Sequence, residues 1–240
     1  MKFDGMTTEG GLALMDIALN RLRERRSGEI YTEFGTYKGR TAALIAQNIG
    51  ADDWLHAVES KDYLEVDRLM RLSDRFSWHK AKSEDFCTKD LAEVLSGKKI
   101  AFSHHDASHF FDNVTTELRS SLESMDQSSV IVLDDFNDSY SQVRAAYYYL
   151  RYAESYPFEL VLIGFNKAIL VHESRFAAAE SYILSCLLDD LDAAGILCKL
   201  VRTDANQRSR NFFVRTREPS DLETHYGVRF MGDQFYKPSR

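Results

Sequence analysis

Short runs of apolar residues alternate along the chain with segments whose apolar positions recur at helical spacing. The runs predict strands at 29–34, 54–59, 76–81, 99–105, 130–133, 159–164, 168–172 and 211–215. The intervening segments predict helices at 5–26, 41–49, 84–95, 114–125, 143–155 and 176–194. Strands alternating with helices are typical of an α/β fold, with a mostly parallel central sheet and helices on both faces. We therefore predict one α/β domain at 29–217, an N-terminal covering helix within 1–28 and an irregular tail at 218–240.

Composition is that of a folded, enzyme-sized protein. The 240 residues are 44% hydrophobic, and 15 Phe and 12 Tyr supply side chains for a large core. The formal net charge of −7 disfavours a nucleic-acid or anionic-membrane partner, because either would favour a basic patch. The three cysteines show no metal-binding C-x-x-C pair, and we find neither a secretion signal nor a membrane-spanning apolar run. These features predict a cytoplasmic protein with reduced thiols.

The segment E-F-G-T-Y-K-G-R-T at 33–41 follows the first predicted strand. In an open α/β sheet ligands bind at the carboxyl ends of the strands, where glycines let the backbone approach a ligand closely. The G-x-x-x-G spacing of Gly35 and Gly39 is neither the dinucleotide fingerprint nor a triphosphate-binding loop. The segment is thus either a tight turn or part of another kind of ligand site. Glu59 ends the second predicted strand, where it is either a surface residue or an acceptor for ribose hydroxyls.

Three carboxylates follow two further strands. Asp106 ends the fourth predicted strand, and Asp134 and Asp135 end the fifth. Neighbouring parallel strands bring their carboxyl ends together, so the three could converge on one hard cation. The alternative is that they cap helices and begin turns. His109, three residues after Asp106, is a candidate general base because the usual pKa of histidine lies near neutral pH.

These segments resemble the class I S-adenosylmethionine-dependent methyltransferases. More narrowly, they resemble the branch that holds the macrocin-type sugar O-methyltransferases and the cephalosporin-hydroxylase-like proteins. The resemblance is carried by E-F-G-T-Y-K-G-R-T at 33–41, H-A-V-E-S at 56–60, D-A-S-H at 106–109 and V-I-V-L-D-D-F at 130–136. It implies a Rossmann-like fold and S-adenosylmethionine as cofactor. The implied cofactor contacts are Glu33, Gly35, Thr36 and Gly39 for the methionine part, Glu59 for the ribose, and Ser83 or Glu84 for the adenine.

The resemblance also implies Mg²⁺ on Asp106, Asp134 and Asp135, and methylation of a small-molecule hydroxyl whose proton leaves to Asp106 or His109. Two departures exist: Gln127-Ser128-Ser129 stands where relatives commonly have Gly-Gly, and residues 156–240 match no known specificity region, so the acceptor stays unidentified. The alternatives are a cephalosporin-hydroxylase-like enzyme of the same fold and a non-catalytic cofactor-binding module.

A homo-oligomer, most simply a two-fold dimer, is expected from two apolar surfaces. One is the apolar face of the N-terminal helix, and the other is the run Tyr147-Tyr148-Tyr149. Closed symmetric pairs are the commonest assembly of soluble proteins.

Overall fold

A computed structural model describes residues 3–202 and 211–216 with their side chains, and the backbone of two strands at 229–230 and 233–236. The strands are β1 (Ile30–Phe34), β2 (Trp54–Val58), β3 (Phe76–His79), β4 (Ile100–His105), β5 (Met125–Leu133), β6 (Phe158–Gly164), β7 (Lys167–His172), β8 (Cys198–Arg202), β9 (Phe212–Thr216), β10 (Arg229–Phe230) and β11 (Asp233–Tyr236). The helices are α1 (Glu9–Asn20), α2 (Arg40–Asn48), α3 (Val66–Met70), α4 (Ser83–Lys89), α5 (Leu91–Leu95), α6 (Phe111–Leu122), α7 (Val143–Ala153), α8 (Phe176–Ser185) and α9 (Leu187–Ala193).

The described strands form one sheet in the order β10-β11-β8-β9-β6-β7-β5-β4-β1-β2-β3. Strands β1 to β5 pair in parallel, whereas β7 lies antiparallel between β5 and β6. The predicted α/β fold is therefore confirmed, with a parallel part formed by β1–β5 and a further parallel pair, β6 with β9. Strand order reverses between β1 and β4, which is where open α/β sheets bind their ligands.

Two apolar layers cover the sheet. One layer holds side chains of α1, α2, α8 and α9, and the other holds side chains of α4, α5, α6 and α7. Because successive strand residues point to opposite faces, Tyr31 enters the first layer while Ile30 and Phe34 enter the second. The sequence predicted helices on both faces, and the structure has them.

Several element boundaries differ from the sequence prediction. The N-terminal helix begins later than predicted, because Thr8 caps it by accepting a hydrogen bond from the Gly11 amide at 3.1 Å, and it ends earlier, at Asn20. The helix predicted at 176–194 is two helices, since the backbone leaves helical geometry at Cys186 (φ −129°). Strands β8, β10 and β11 were not predicted, and the last two lie in the tail expected to be irregular.

The apolar face of α1 is covered by the chain itself. Leu14, Met15 and Ala18 are fully buried in the first apolar layer. Of the tyrosine run, Tyr147 is buried and Tyr149 is exposed. The α1 face is thus not free for a partner, and the expected homo-oligomer stays a prediction. No helix in the described part of the chain is long and apolar enough to cross a membrane.

We expect the fold to lose stability in mild acid through His56. On β2, His56 is buried with its Nδ1 3.0 Å from Nε2 of His79, and burial lowers its pKa from 6.5 to about 4. Between these values the unfolded chain binds more protons, so the free energy of unfolding falls as pH decreases from 6.5 towards 4. One such proton corresponds to a slope of about 1.4 kcal/mol per pH unit. Urea denaturation across this range should give a shallower slope for His56→Asn, and an unchanged slope would contradict the prediction.

Candidate active site

A cavity of about 920 Å³ lies at the carboxyl ends of the parallel strands. Of the residues predicted from the sequence, it is lined by Gly35, Thr36, Glu59, Ser83, Glu84, Asp106, His109, Asp134 and Asp135. Glu33 and Gly39 are not among its lining residues. The structure thus brings nine of the eleven predicted site residues to one cavity, whose volume is within the usual range for a small-molecule ligand.

Gly35 makes the turn after β1 at a point where no side chain fits. Its φ is +85°, and an added Cβ would lie 2.0 Å from the carbonyl oxygen of Asp106. Neighbouring strands fix the turn, since the Gly35 amide donates to Val58 O at 2.9 Å and the Asp106 amide donates to Phe34 O at 2.8 Å. At Gly39 (φ +92°) an added Cβ would meet only leucine side chains, Leu64 and Leu69. Glycine is therefore required more strictly at position 35 than at position 39.

Glu59 joins the glycine turn to the end of β2. Its Oε2 accepts a hydrogen bond from the Tyr37 amide and its Oε1 accepts one from the Lys61 amide, both at 2.9 Å. These donors orient the carboxylate at the cavity wall. Oε1 also accepts from Ser60 Oγ at 3.4 Å, whereas Oε2 keeps a lone pair for a further donor. Glu59 thus has both the position and the acceptor capacity that its predicted ribose contact requires.

A chain of buried polar groups lies behind Ser83, at the start of α4. Ser83 Oγ donates to Glu117 Oε1 at 2.5 Å, and Glu117 Oε2 lies 3.0 Å from His105 Nδ1. His105 Nε2 in turn lies 2.9 Å from Ser103 Oγ. Sequence reasoning missed Glu117, because a glutamate within a helix is ordinarily a surface residue.

The three aspartates form two overlapping groups that share Asp106. Potential ligand atoms of Asp106, Asp134 and His104 lie within 4.8 Å of one another, and so do those of Asp106, Asp135 and His109. Burial, together with the nearby Asp134 charge, raises the pKa of Asp106 to about 6. The neighbouring Asp106 carboxylate raises the pKa of His109, whose Nε2 lies 3.6 Å from Asp106 Oδ1 and 3.0 Å from Asp135 Oδ2. Negative charge is therefore concentrated at the cavity floor.

Asp135 is held by the hairpin turn between β6 and β7. It has a left-handed backbone (φ +51°), which is uncommon for a residue with a side chain. Asn166 Nδ2 donates to Asp135 Oδ1 at 2.8 Å, and the Tyr140 hydroxyl donates to Asp135 Oδ2 at 3.1 Å. The sequence signal that could have pointed to Asn166 is its place in a two-residue turn with Phe165, since asparagine tolerates positive φ.

Glu33 lies deeper than its predicted role suggests. It is fully buried, and its Oε1 lies 3.0 Å from Nδ1 of His104, which was not predicted as a site residue. Lys167 is also buried, with Nζ 2.5 Å from Asp134 Oδ2, and the sequence did not single it out. A direct contact of Glu33 with the cofactor stays a prediction.

A family comparison agrees with the methyltransferase interpretation of the cavity. Residues 32–136 match the family model of a methyltransferase domain, and this range contains all the predicted site residues. This part of the chain is therefore similar to a methyltransferase domain. The predicted resemblance is thereby confirmed, and so is the prediction of a methyltransferase enzyme. Among curated proteins, none matches the sequence.

Solved structures agree with the methyltransferase fold. The O-methyltransferase NovP is 12% identical with a TM-score of 0.54, over 68% of this chain and 79% of that one. An O-methyltransferase from Bacillus cereus, solved with SAH, is 17% identical with a TM-score of 0.51, over 70% and 82%. CalS11, a TDP-rhamnose 3'-O-methyltransferase, is 13% identical with a TM-score of 0.50, over 66% and 78%. At such identities the likeness is one of fold.

Proposed function

We propose that the methyltransferase transfers the methyl group of S-adenosylmethionine to a hydroxyl group of a small molecule, with Mg²⁺ at the aspartates. The observation that carries this proposal is that the Asp106, His109 and Asp135 group opens into the same cavity as Glu59 and Ser83. One cavity can therefore hold the cofactor beside a site for proton transfer. The name of the fold neighbour CalS11, a sugar 3'-O-methyltransferase, supports oxygen as the methylated atom.

The aspartate side chains suit a hard cation. Carboxylate oxygens are the ligands that Mg²⁺ prefers, and Asp106 and Asp135 both line the cavity. The raised pKa of Asp106 reflects burial of negative charge beside Asp134, and a cation would relieve that cost. Asp106, Asp134 and Asp135 are thus the residues that would hold the ion. When bound, it would lower the pKa of an acceptor hydroxyl.

His109 lines the cavity beside the aspartates and is the candidate to receive the acceptor proton. Its Nε2 lies 3.6 Å from Asp106 Oδ1 and 3.0 Å from Asp135 Oδ2, so either carboxylate can stabilise the imidazolium that forms. Phe110 and Tyr140 line the same cavity and are each 70% exposed, which offers apolar surface for an acceptor ring. The chain's own groups therefore bind, orient and deprotonate the acceptor.

Product analysis tests this proposal. The protein is incubated with a metabolite extract, Mg²⁺ and S-adenosylmethionine carrying a deuterated methyl group, and products are separated by mass spectrometry. We expect a product heavier by one labelled methyl group, carried on oxygen, and its loss in the Asp106→Asn variant. A product methylated on nitrogen or carbon, or equal yield in the presence of a chelator, would contradict the proposal.

Glu59→Ala should weaken S-adenosylmethionine binding by about 1–3 kcal/mol, or roughly 5- to 150-fold in Kd. The variant loses the predicted ribose acceptor and also the anchor for the Tyr37 and Lys61 amides. Glu59→Gln keeps the shape and one acceptor oxygen, so we expect a smaller loss. Glu93→Ala is the control, because Glu93 is exposed and does not line the cavity. Titration calorimetry measures all three, and wild-type affinity in Glu59→Ala would rule out the ribose contact.

A further inference from the structure

A row of buried charged and polar side chains crosses four strands beneath the cavity. Lys167 on β7 lies against Asp134 after β5, with Nζ 2.5 Å from Oδ2. The same Nζ lies 3.5 Å from Nε2 of His104 on β4, whose Nδ1 lies 3.0 Å from Oε1 of Glu33 on β1. The side chains of Lys167, His104 and Glu33 are at most 1% exposed. An ammonium group is therefore built into the wall of the aspartate cluster.

The fold holds Lys167 in this position from three sides. The last registered pair of β5 and β7 is Leu133 with Ala168, so Asp134 and Lys167 come next on facing strands. The turn before Lys167 is fixed on the Asp135 loop, because the Phe136 amide donates to Asn166 O at 2.9 Å. On α1, a Cβ added at Gly11 would lie 3.2 Å from Cε of Lys167. The lysine stem is thus enclosed, and its charge stays beside Asp134.

The ion pair gives the three aspartates unequal surroundings. Asp134 has the Lys167 ammonium as a direct partner, and this charge counteracts the cost of burying the carboxylate. Asp135 has instead an amide, a hydroxyl and the imidazole of His109. A divalent cation that took Asp134 as a ligand would come close to a buried ammonium, and like charges repel. The three carboxylates are therefore not equivalent metal ligands.

We propose that Lys167 is the resident counter-ion of Asp134 and competes with the divalent cation for this carboxylate, so that Lys167 sets the metal affinity. The cation is then held mainly by Asp106 and Asp135. This inference rests on the metal site of the proposed function, and it assigns to Lys167 a role in metal binding that does not depend on the identity of the acceptor.

Metal titration of Lys167 variants tests the competition. Mn²⁺ binding is measured by calorimetry in wild type, Lys167→Met and Lys167→Arg, with exposed Lys80→Met as the control. Removing the buried charge in Lys167→Met should tighten Mn²⁺ binding at least about tenfold. Arginine keeps the charge and should bind Mn²⁺ like wild type within about threefold, as should Lys80→Met. Equal or weaker binding in Lys167→Met would overturn the proposal.

A second comparison combines the two substitutions. Asp134→Asn alone leaves the Lys167 ammonium without its partner, so the effect of Asp134→Asn on Mn²⁺ binding is measured in the Lys167→Met background. There it should abolish the gain in Mn²⁺ affinity, because that gain comes from freeing the Asp134 carboxylate. Circular dichroism verifies that each variant is folded. A gain in Mn²⁺ affinity that persists in the double variant would overturn the proposal.

Calorimetry with S-adenosylmethionine separates this inference from the proposed function. Cofactor binding with Mn²⁺ affinities that are equal in wild type and Lys167→Met would overturn the role of Lys167 alone. Cofactor binding without Mn²⁺ binding in any variant would overturn both the metal site and the competition. Absence of cofactor binding would refute the proposed function itself.

Discussion

Gly35→Ala should destabilise the fold and reduce S-adenosylmethionine affinity by at least about 100-fold. The new Cβ would lie 2.0 Å from the carbonyl oxygen of Asp106 and 2.3 Å from its carbonyl carbon, which are backbone atoms. They cannot withdraw without breaking the hydrogen bond from the Asp106 amide to Phe34 O. The turn after β1 must therefore separate from the end of β4, and this movement displaces both the turn that we propose to bind the cofactor and Asp106.

Gly97→Ala is the matched control. Gly97 also has a positive φ (+81°), but an added Cβ there meets nothing within 4 Å. Gly97→Ala should lower the free energy of unfolding only by the cost of a left-handed backbone at alanine, about 1–2 kcal/mol. Gly35→Ala should lower the free energy of unfolding by more than about 3 kcal/mol, a loss typical of a severe steric conflict. Urea denaturation and calorimetry measure both effects, and equal losses in the two variants would show that the close approach at Gly35 is unimportant.

Asp106→Asn should lower the rate of methyl transfer by about 10²–10⁴-fold while changing cofactor Kd less than about threefold. Asp106 belongs to both groups of potential metal ligands and lies 3.6 Å from His109 Nε2. The Glu59 carboxylate lies on the side of the cavity where we propose that the cofactor binds. We therefore expect Asp106→Asn to slow turnover and to leave cofactor affinity nearly unchanged. Single-turnover rates and calorimetric Kd values separate the two effects.

Measurements with excess Mg²⁺ distinguish the two proposed roles of Asp106, as a metal ligand and as a proton acceptor. Recovery of part of the rate in Asp106→Asn would mark the residue as a metal ligand, with His109 alone taking the proton. A rate that stays low although metal binds would assign both roles to Asp106. Asp112→Asn, an exposed change in the first turn of α6, is the control and should retain full activity. Full turnover of Asp106→Asn in the presence of a chelator would refute the assignment.

The sequence alone determined strands β1 to β5 of the sheet and the location of the site at their carboxyl ends. Apolar runs of strand length and helical spacing are local properties of the chain, so β1 to β5 could be placed without coordinates. Because parallel strands end at one edge, Gly35, Glu59 and Asp106 were expected to meet there, and they line one cavity. The acids and glycines carried enough local chemistry to be recognised before the fold was known.

Only the tertiary structure decided which of these groups touch. Lys167 reaches Asp134 because β7 inserts beside β5 in an antiparallel register, and no local pattern encodes that pairing. The carbonyl oxygen of Asp106 leaves no room for a side chain at Gly35, although the two residues lie 71 positions apart in the sequence. Glu33 is buried beneath the cavity, where its Oε1 lies 3.0 Å from Nδ1 of His104 on the neighbouring strand. Local periodicity fixes which face a side chain takes, whereas the register between distant strands fixes its partner, and electrostatics at the site depends on partners.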